Sequence, residues 1–192
     1  PLHGSSQGKW ASAAEAAHAI IDSGWYALDN NYGDVVNNSN SSELIMGRRL
    51  TATNDFERSN FPVGYEGADP GTCPTQNLVN TYEMENGMDI DESGSGYDPQ
   101  DPYENRDPRL KQTIIVNNSI WKGRNVEIWR GGQDGPPKEH ATKTGYYLKK
   151  YLVENVSLDP DHPSTARHLW VFFRYGEALL NYAESMNEAY GP

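Results

Sequence analysis

The run at residues 167–190, RHLWVFFRYGEALLNYAESMNEAY, constrains the fold of this chain more than any other stretch. Phe172, Gly176, Leu179, Ala183, Met186 and Tyr190 recur at spacings of three and four, with Leu169, Phe173, Leu180 and Asn187 as a neighbouring stripe. Side chains so spaced share one face of an α-helix, so the pattern predicts a helix over the whole run, stopped by Gly191 and Pro192. Gly176 in its middle costs about 1 kcal/mol relative to alanine. A helix tolerates that where a neighbouring backbone comes close. A helix with one broad apolar face also needs a partner.

Residues 9–22, KWASAAEAAHAIID, supply one. Trp10, Ala13, Ala14, Ala17, Ile20 and Ile21 share a face, Ser5, Ser6 or Gln7 could cap it, and Ser23-Gly24 ends it. An alanine-rich face lets a second helix approach closely. The two helices stand at opposite ends of the chain, so they predict a helix pair of tetratricopeptide type but not a tandem array.

The sequence between them is loop-rich. Residues 29–42 and 51–73 are dominated by Asn, Ser, Gly, Asp and Pro. Residues 43–50 predict a short strand through Leu44, Ile45 and Met46, and residues 74–84 a compact helix with Pro74 at its start and Asn86-Gly87 at its end. Asp107-Pro108 opens another helical turn. Residues 113–116 and 126–130 predict an irregular hairpin with a long tip. Residues 145–153, GYYLKKYLV, carry no decisive period and stay open between strand and helix. Loops of this length in a compact domain are usually functional.

Charge narrows the function. Lys plus Arg number 16 and Asp plus Glu 27, a formal net charge of −11, which disfavours nucleic acid and anionic membrane surfaces as partners. Cys73 is the one cysteine, so no intrachain disulfide forms. The chain opens at Pro1 with neither Met nor a signal-type segment, which leads us to expect a piece of a longer protein.

Catalytic and metal motifs are weak. Asp89, Asp91, Ser93 and Gly94 match the first half of a calcium loop, but its twelfth position is Gln100 rather than Glu, and Pro99 and Pro102 oppose an exiting helix. His3, His18, His140, His162 and His168 stand in no i, i+4 pair. No metal or cofactor is expected. No nucleophile elbow, phosphate loop or dinucleotide fingerprint occurs. Carboxylates are plentiful, which leaves a glycosidase pair as one reading and a solvated acidic surface as another.

The aromatic side chains are more informative. Phe61, Tyr65, Tyr97, Tyr103, Trp121 and Trp129 lie in or beside loops rich in Gly, Asn and Asp. Flat rings with amide, carboxylate and guanidinium neighbours suit carbohydrate, because rings stack on C–H faces while polar groups bond hydroxyls. The alternative is that each ring plugs its own loop onto the scaffold. The candidate ligand contacts are Tyr65, Tyr97, Trp121 and Trp129, with Arg124 and Asp134 as polar partners. Three rings each covering ~60–80 Å² would contribute roughly 5 kcal/mol before ordering costs, or affinities of millimolar to high micromolar order.

Several stretches together resemble the SusD/RagB family of nutrient-binding outer-membrane lipoproteins. They are Pro74-Thr75-Gln76-Asn77-Leu78-Val79 with Tyr82-Glu83-Met84, then Asn105-Arg106-Asp107-Pro108-Arg109-Leu110, Thr144-Gly145-Tyr146-Tyr147-Leu148-Lys149-Lys150-Tyr151, and the helix from Phe173 through Leu179-Leu180-Asn181-Tyr182-Ala183-Glu184. The opening Trp10 to Tyr26 is similar to the family's tryptophan- and alanine-bearing helix. The resemblance implies a mostly α, SusD-like fold with tetratricopeptide-type helix pairs, a long loop-rich insertion and a minor β-hairpin. We expect residues 1–192 to form part of such a domain, with scaffold helices at 9–28 and 167–190 and a ligand-binding, loop-rich subdomain at 43–153. The resemblance also implies binding rather than cleavage of oligosaccharide or polysaccharide, and delivery to a SusC-like TonB-dependent transporter. The full-length protein would be lipid-anchored and surface-exposed on the outer membrane. Arg106, Asp107 and Arg109 are expected to fix loops through charge-assisted bonds. The competing readings are a helical-repeat interaction module without a sugar site and a glycoside hydrolase.

Overall fold

The computed structural model describes residues 7–191. In chain order the elements are α1 (Gln7–Asp22), β1 (Leu44–Arg49), α2 (Asp55–Arg58), α3 (Gln76–Asn80), α4 (Pro108–Thr113), β2 (Ile114–Ile115), β3 (Ile120–Trp121), β4 (Arg124–Asn125), β5 (Tyr147–Leu148), β6 (Leu169–Arg174) and α5 (Tyr175–Tyr190), with a 3-10 turn at Tyr32–Val35. Contacts divide the chain into two units: its two ends, up to Leu50 and from His168, and the segment Thr51–Arg167. The boundary at Leu50 assigns β1 to the unit of the ends, and residues 154–167 belong with the loop-rich segment. None of the described helices is long and apolar enough to cross a membrane.

In the first unit α1 and α5 pack on each other, as the two sequence patterns require. The buried stripe is built of small side chains: Ala14 and Ala17 from α1, and Ala178, Ser185 and Ala189 from α5. Small residues let the two axes approach closely. His18 and Tyr182 add a tilted ring contact of 5.1 Å between centroids. The stripe expected from sequence only borders this contact: Gly176, Leu179 and Met186 are half-buried, while Leu180 is 70% and Tyr190 69% exposed. Close approach selects the Ala/Ser face over the bulkier one. The Ser5 and Ser6 capping candidates lie outside the described residues, and Gln7 is the first residue of α1.

The helix expected over residues 167–190 is a helix only from Tyr175. Leu169–Arg174 is a strand, antiparallel to β1, with Gly47 opposite Val171 and Arg49 opposite Leu169. Aromatic and β-branched residues favour a strand once a partner edge exists, and β1 provides it. His168 is buried beside this strand with Nδ1 3.3 Å from Asn37 Oδ1. At the strand-to-helix corner the Tyr175 amide donates to the Glu43 carbonyl at 2.8 Å. Arg174 Nη1 pairs with Glu43 Oε2, also at 2.8 Å. Gly176 makes room for that pair rather than for a neighbouring backbone, because a Cβ there would lie 2.7 Å from Arg174 Nη1. Gly191, at φ 86°, ends α5 with its amide bonded to the Asn187 carbonyl at 2.8 Å.

The second unit, Thr51–Arg167, is largely irregular chain wrapped on two apolar clusters. One holds Phe61, Ile115, Trp121, Val126, Ile128, Tyr147, Val156 and Leu158. The other holds Val79, Leu110, Ile114, Val116 and Tyr146, with Tyr82 and Tyr103 against it. The helix expected over residues 74–84 is shortened to α3, capped by the Thr75 hydroxyl at its start. Its end is taken over by Arg106, which is buried and donates to the carbonyls of Val79 at 2.8 Å, Tyr82 at 2.6 Å and Pro102 at 2.9 Å. Asp107 caps α4 through the Arg109 amide and also binds the Arg109 guanidinium. This is the loop-fixing role expected of Arg106, Asp107 and Arg109.

The hairpin differs from the one expected. β2 pairs with β5, not with residues 126–130, which resolves the 145–153 run as a short strand. The hairpin is β3–β4, closed by Lys122 at φ 47° and Gly123 at φ 79°. Two consecutive left-handed residues are what a type I′ two-residue hairpin turn requires.

Candidate ligand-binding loops

The segment 127–136 is a tightly wound loop near the candidate site. The Asp134 amide donates to the Glu127 carbonyl at 2.9 Å, Gly132 to the Trp129 carbonyl at 2.9 Å and Gly131 to the Pro136 carbonyl at 2.6 Å. Neighbouring strands of chain approach so closely that a side chain at Gly132 would collide with Glu127, and one at Gly135 with the carbonyls of Ile128 and Trp129. These glycines therefore wind the loop.

Asp134 anchors it. Its carboxylate is fully buried and accepts from Arg124 Nη1 and Nη2 at 2.7 and 2.8 Å, from the Glu127 amide at 2.8 Å and from the Gly64 amide at 3.1 Å. Such saturation offsets the cost of burying a charge. The Asp134 hydrogen bonds hold the Arg124 guanidinium above its ordinary pKa. The guanidinium also lies 3.9 Å from the centre of the Tyr65 ring, within cation–π range. The Tyr65 hydroxyl donates to the Trp121 carbonyl at 2.6 Å, and burial pushes its pKa up to about 12. Trp121 is 2% exposed and meets Phe61 edge-on at 5.8 Å.

The structure thus brings Tyr65, Trp121, Arg124 and Asp134 together, but as an internal hub in which the Tyr65 hydroxyl is used on the Trp121 carbonyl and the Arg124 guanidinium on Asp134. Trp121 presents no open ring face. Trp129 is different: it is 48% exposed, on the loop that Asp134 pins from beneath. Tyr97 belongs to another neighbourhood. It is half-buried, 5.6 Å from the Arg106 guanidinium, with its amide on the Ser95 hydroxyl at 3.3 Å.

The residue that sequence reasoning did not single out is Tyr147. It is fully buried, donates to the Asp134 carbonyl at 2.6 Å and accepts the Thr142 amide at 3.1 Å. Its hydroxyl ties residues 127–136 to residues 138–143. The T-G-Y-Y-L-K-K-Y motif was the available signal. Lys122 likewise fastens the hairpin tip, its ammonium donating to the carbonyls of Glu154 at 2.8 Å and Val156 at 2.6 Å. Among the described residues no group of three or more His, Cys, Asp or Glu side chains could hold a metal ion.

Residues 28–192 match the SusD family. Among solved structures, the chain is similar to a SusD-like carbohydrate binding protein from Bacteroides fragilis, at 25% identity and a TM-score of 0.78, covering 94% of this chain and 37% of that one. A second SusD-like protein from the same organism is 21% identical with a TM-score of 0.76, over 95% of this chain and 41% of that one, a likeness of fold. A SusD superfamily protein from Parabacteroides distasonis matches at 20% identity and a TM-score of 0.57, over 100% of this chain and 36% of that one. The chain therefore spans well under half the length of these structures. No curated protein matches the sequence.

Proposed function

The chain belongs to the SusD family, and from that premise we propose that it binds oligosaccharide or polysaccharide nutrients at the cell surface. The complete protein would then deliver them to a SusC-like TonB-dependent transporter, as a lipid-anchored protein exposed on the outer membrane. The α1–α5 pair would be one of its tetratricopeptide-type helix pairs.

The observation that carries this reading is the exposed Trp129 ring on a loop wound by glycines and pinned by a saturated buried carboxylate. A ring presented rigidly loses little freedom when a sugar stacks on it. Tyr97 is a second candidate platform. Tyr65, Trp121, Arg124 and Asp134 support the site from beneath. Asp134 is sequestered by Arg124, so of the six candidate residues none offers a free carboxylate for acid–base hydrolysis.

Native gels containing a panel of polysaccharides test the reading. Retarded migration in at least one glycan, with that glycan recovered intact, is the expected result. Unretarded migration in all of them would contradict it.

One feature of the other unit favours a protein partner as a second role. The flank of α1 and α5 carries an open, mainly apolar groove of about 550 Å³ lined by Trp10, Ile20, Ile45 and Phe173.

A further inference from the structure

The chain carries a net charge of −11, yet the loops beside Trp129 carry three exposed cationic side chains. Arg130, Lys138 and Lys143 are exposed, and none of their side chains makes an ion pair or hydrogen bond among the described residues. Two carboxylates of the same stretch are bonded within it, Glu127 accepting the Gln133 amide at 3.1 Å. Asp134 is buried on Arg124. Glu139, 92% exposed, lies 3.6 Å from His140, which pairs more closely with Asp69.

The three cations are not merely near in sequence. Arg130 follows Trp129 and precedes Gly131, whose amide bonds the Pro136 carbonyl. Lys138 bonds back through its amide to Gly135 at 3.3 Å. Lys143 follows Thr142, which is tied to the Asp134 carbonyl by the single hydroxyl of Tyr147. One compact loop system therefore displays an exposed indole and three unpaired cations.

Ammonium and guanidinium groups donate hydrogen bonds and accept none. Neutral sugar hydroxyls need acceptors as well as donors, whereas carboxylate and sulfate groups only accept. Resting on the reading of Trp129 as a sugar platform, we propose that the loops at 129–143 select glycans bearing carboxylate or sulfate groups. The acidic remainder of the surface repels such a polymer and confines its binding to this patch.

The test pairs acidic probes with charge-neutralised counterparts: polygalacturonate with fully methyl-esterified pectin, and chondroitin sulfate with desulfated chondroitin. Binding is measured by titration at low and at near-physiological salt. The expected result is preference for an acidic member of a pair, weakening with salt. Binding should fall about three- to tenfold in R130A/K138A and persist in R130K/K138R. Equal binding of neutralised counterparts without salt dependence, but lost in W129A, would leave the platform standing and overturn the acidic selectivity. Binding of an acidic probe that R130A/K138A/K143A leaves unchanged would also overturn it. Absence of binding to every glycan would remove both readings together.

Discussion

Arg124 and Asp134 form a two-pronged ion pair, at 2.7 and 2.8 Å, in which the carboxylate is wholly buried and the guanidinium reaches the surface. The pair joins the β3–β4 hairpin to the loop that carries Trp129, and the same carboxylate holds the Gly64 amide. Removing one partner strands a buried charge or leaves buried amides unsatisfied. Asp134→Ala should therefore destabilise the chain by about 3–5 kcal/mol, read as a shift in the urea midpoint. A loss under about 1 kcal/mol would mean that the loop is held by something else.

Tyr147 should be the keystone of the same loops through its hydroxyl alone. Tyr147→Phe keeps the ring and leaves the Asp134 carbonyl and Thr142 amide without their partner. A cost of about 1–3 kcal/mol is expected, with faster amide exchange at Thr142. Unchanged exchange at that amide would refute the keystone role.

Gly176 offers a test of sign. Because α5 begins at Tyr175, Gly176 lies in its first turn rather than mid-helix as expected. Alanine there gains at most about 1 kcal/mol over glycine, the value for a helix interior. Here its Cβ would push Arg174 off Glu43. Gly176→Ala should destabilise the wild-type chain and stabilise the Arg174→Ala chain, a reversal that a double-mutant cycle measures. The same sign in both backgrounds would exclude the ion pair as the reason for glycine.

Asp107 gives a pH dependence. Hydrogen bonds from Arg109 hold its carboxyl below the ordinary value of 3.8. The folded chain therefore binds this proton less readily than the unfolded chain. The resulting stability is full above the unfolded value and is lost as pH falls through the lower, folded one. Asp107→Asn keeps a capping side chain but should flatten that part of the acid limb of the stability curve. An acid limb of unchanged steepness would show that Asp107 does not contribute to it.

Much of the scaffold was legible because its constraints are local. Alanines at helical spacing in residues 9–22 specify a face that only a close helix can cover. Asp107-Pro108 specifies a cap and a first turn. Leu169 to Arg174 was not legible, since a short aromatic run suits helix or strand until β1 offers an edge. The loop tryptophans show the harder limit. Side chains alternate along β3, so Ile120 points outward at 73% exposure while Trp121 turns into the core. A one-residue change of register would exchange them. Nothing in sequence distance announces that Arg124 and Asp134 meet, because the pairing depends on Gly132, Gly135 and a hairpin closing together. The family motifs sit mainly in structural positions for the same reason: Arg106, Asp107 and Tyr147 hold loops and leave ligand contacts to side chains that carry no motif.

The central proposal separates two tryptophans: Trp129 as the ligand platform, and Trp121, 2% exposed, as core. Trp121→Ala should cost about 3–5 kcal/mol of stability, so it reports on folding. The most direct measurement is the affinity of Trp129→Ala for whichever glycan the wild-type chain binds, with its thermal unfolding recorded in parallel. Loss of a ring covering ~60–80 Å² of sugar should weaken binding by roughly ten- to thirtyfold, with stability unchanged within about 0.5 kcal/mol. Undiminished affinity in a folded Trp129→Ala chain would contradict the account.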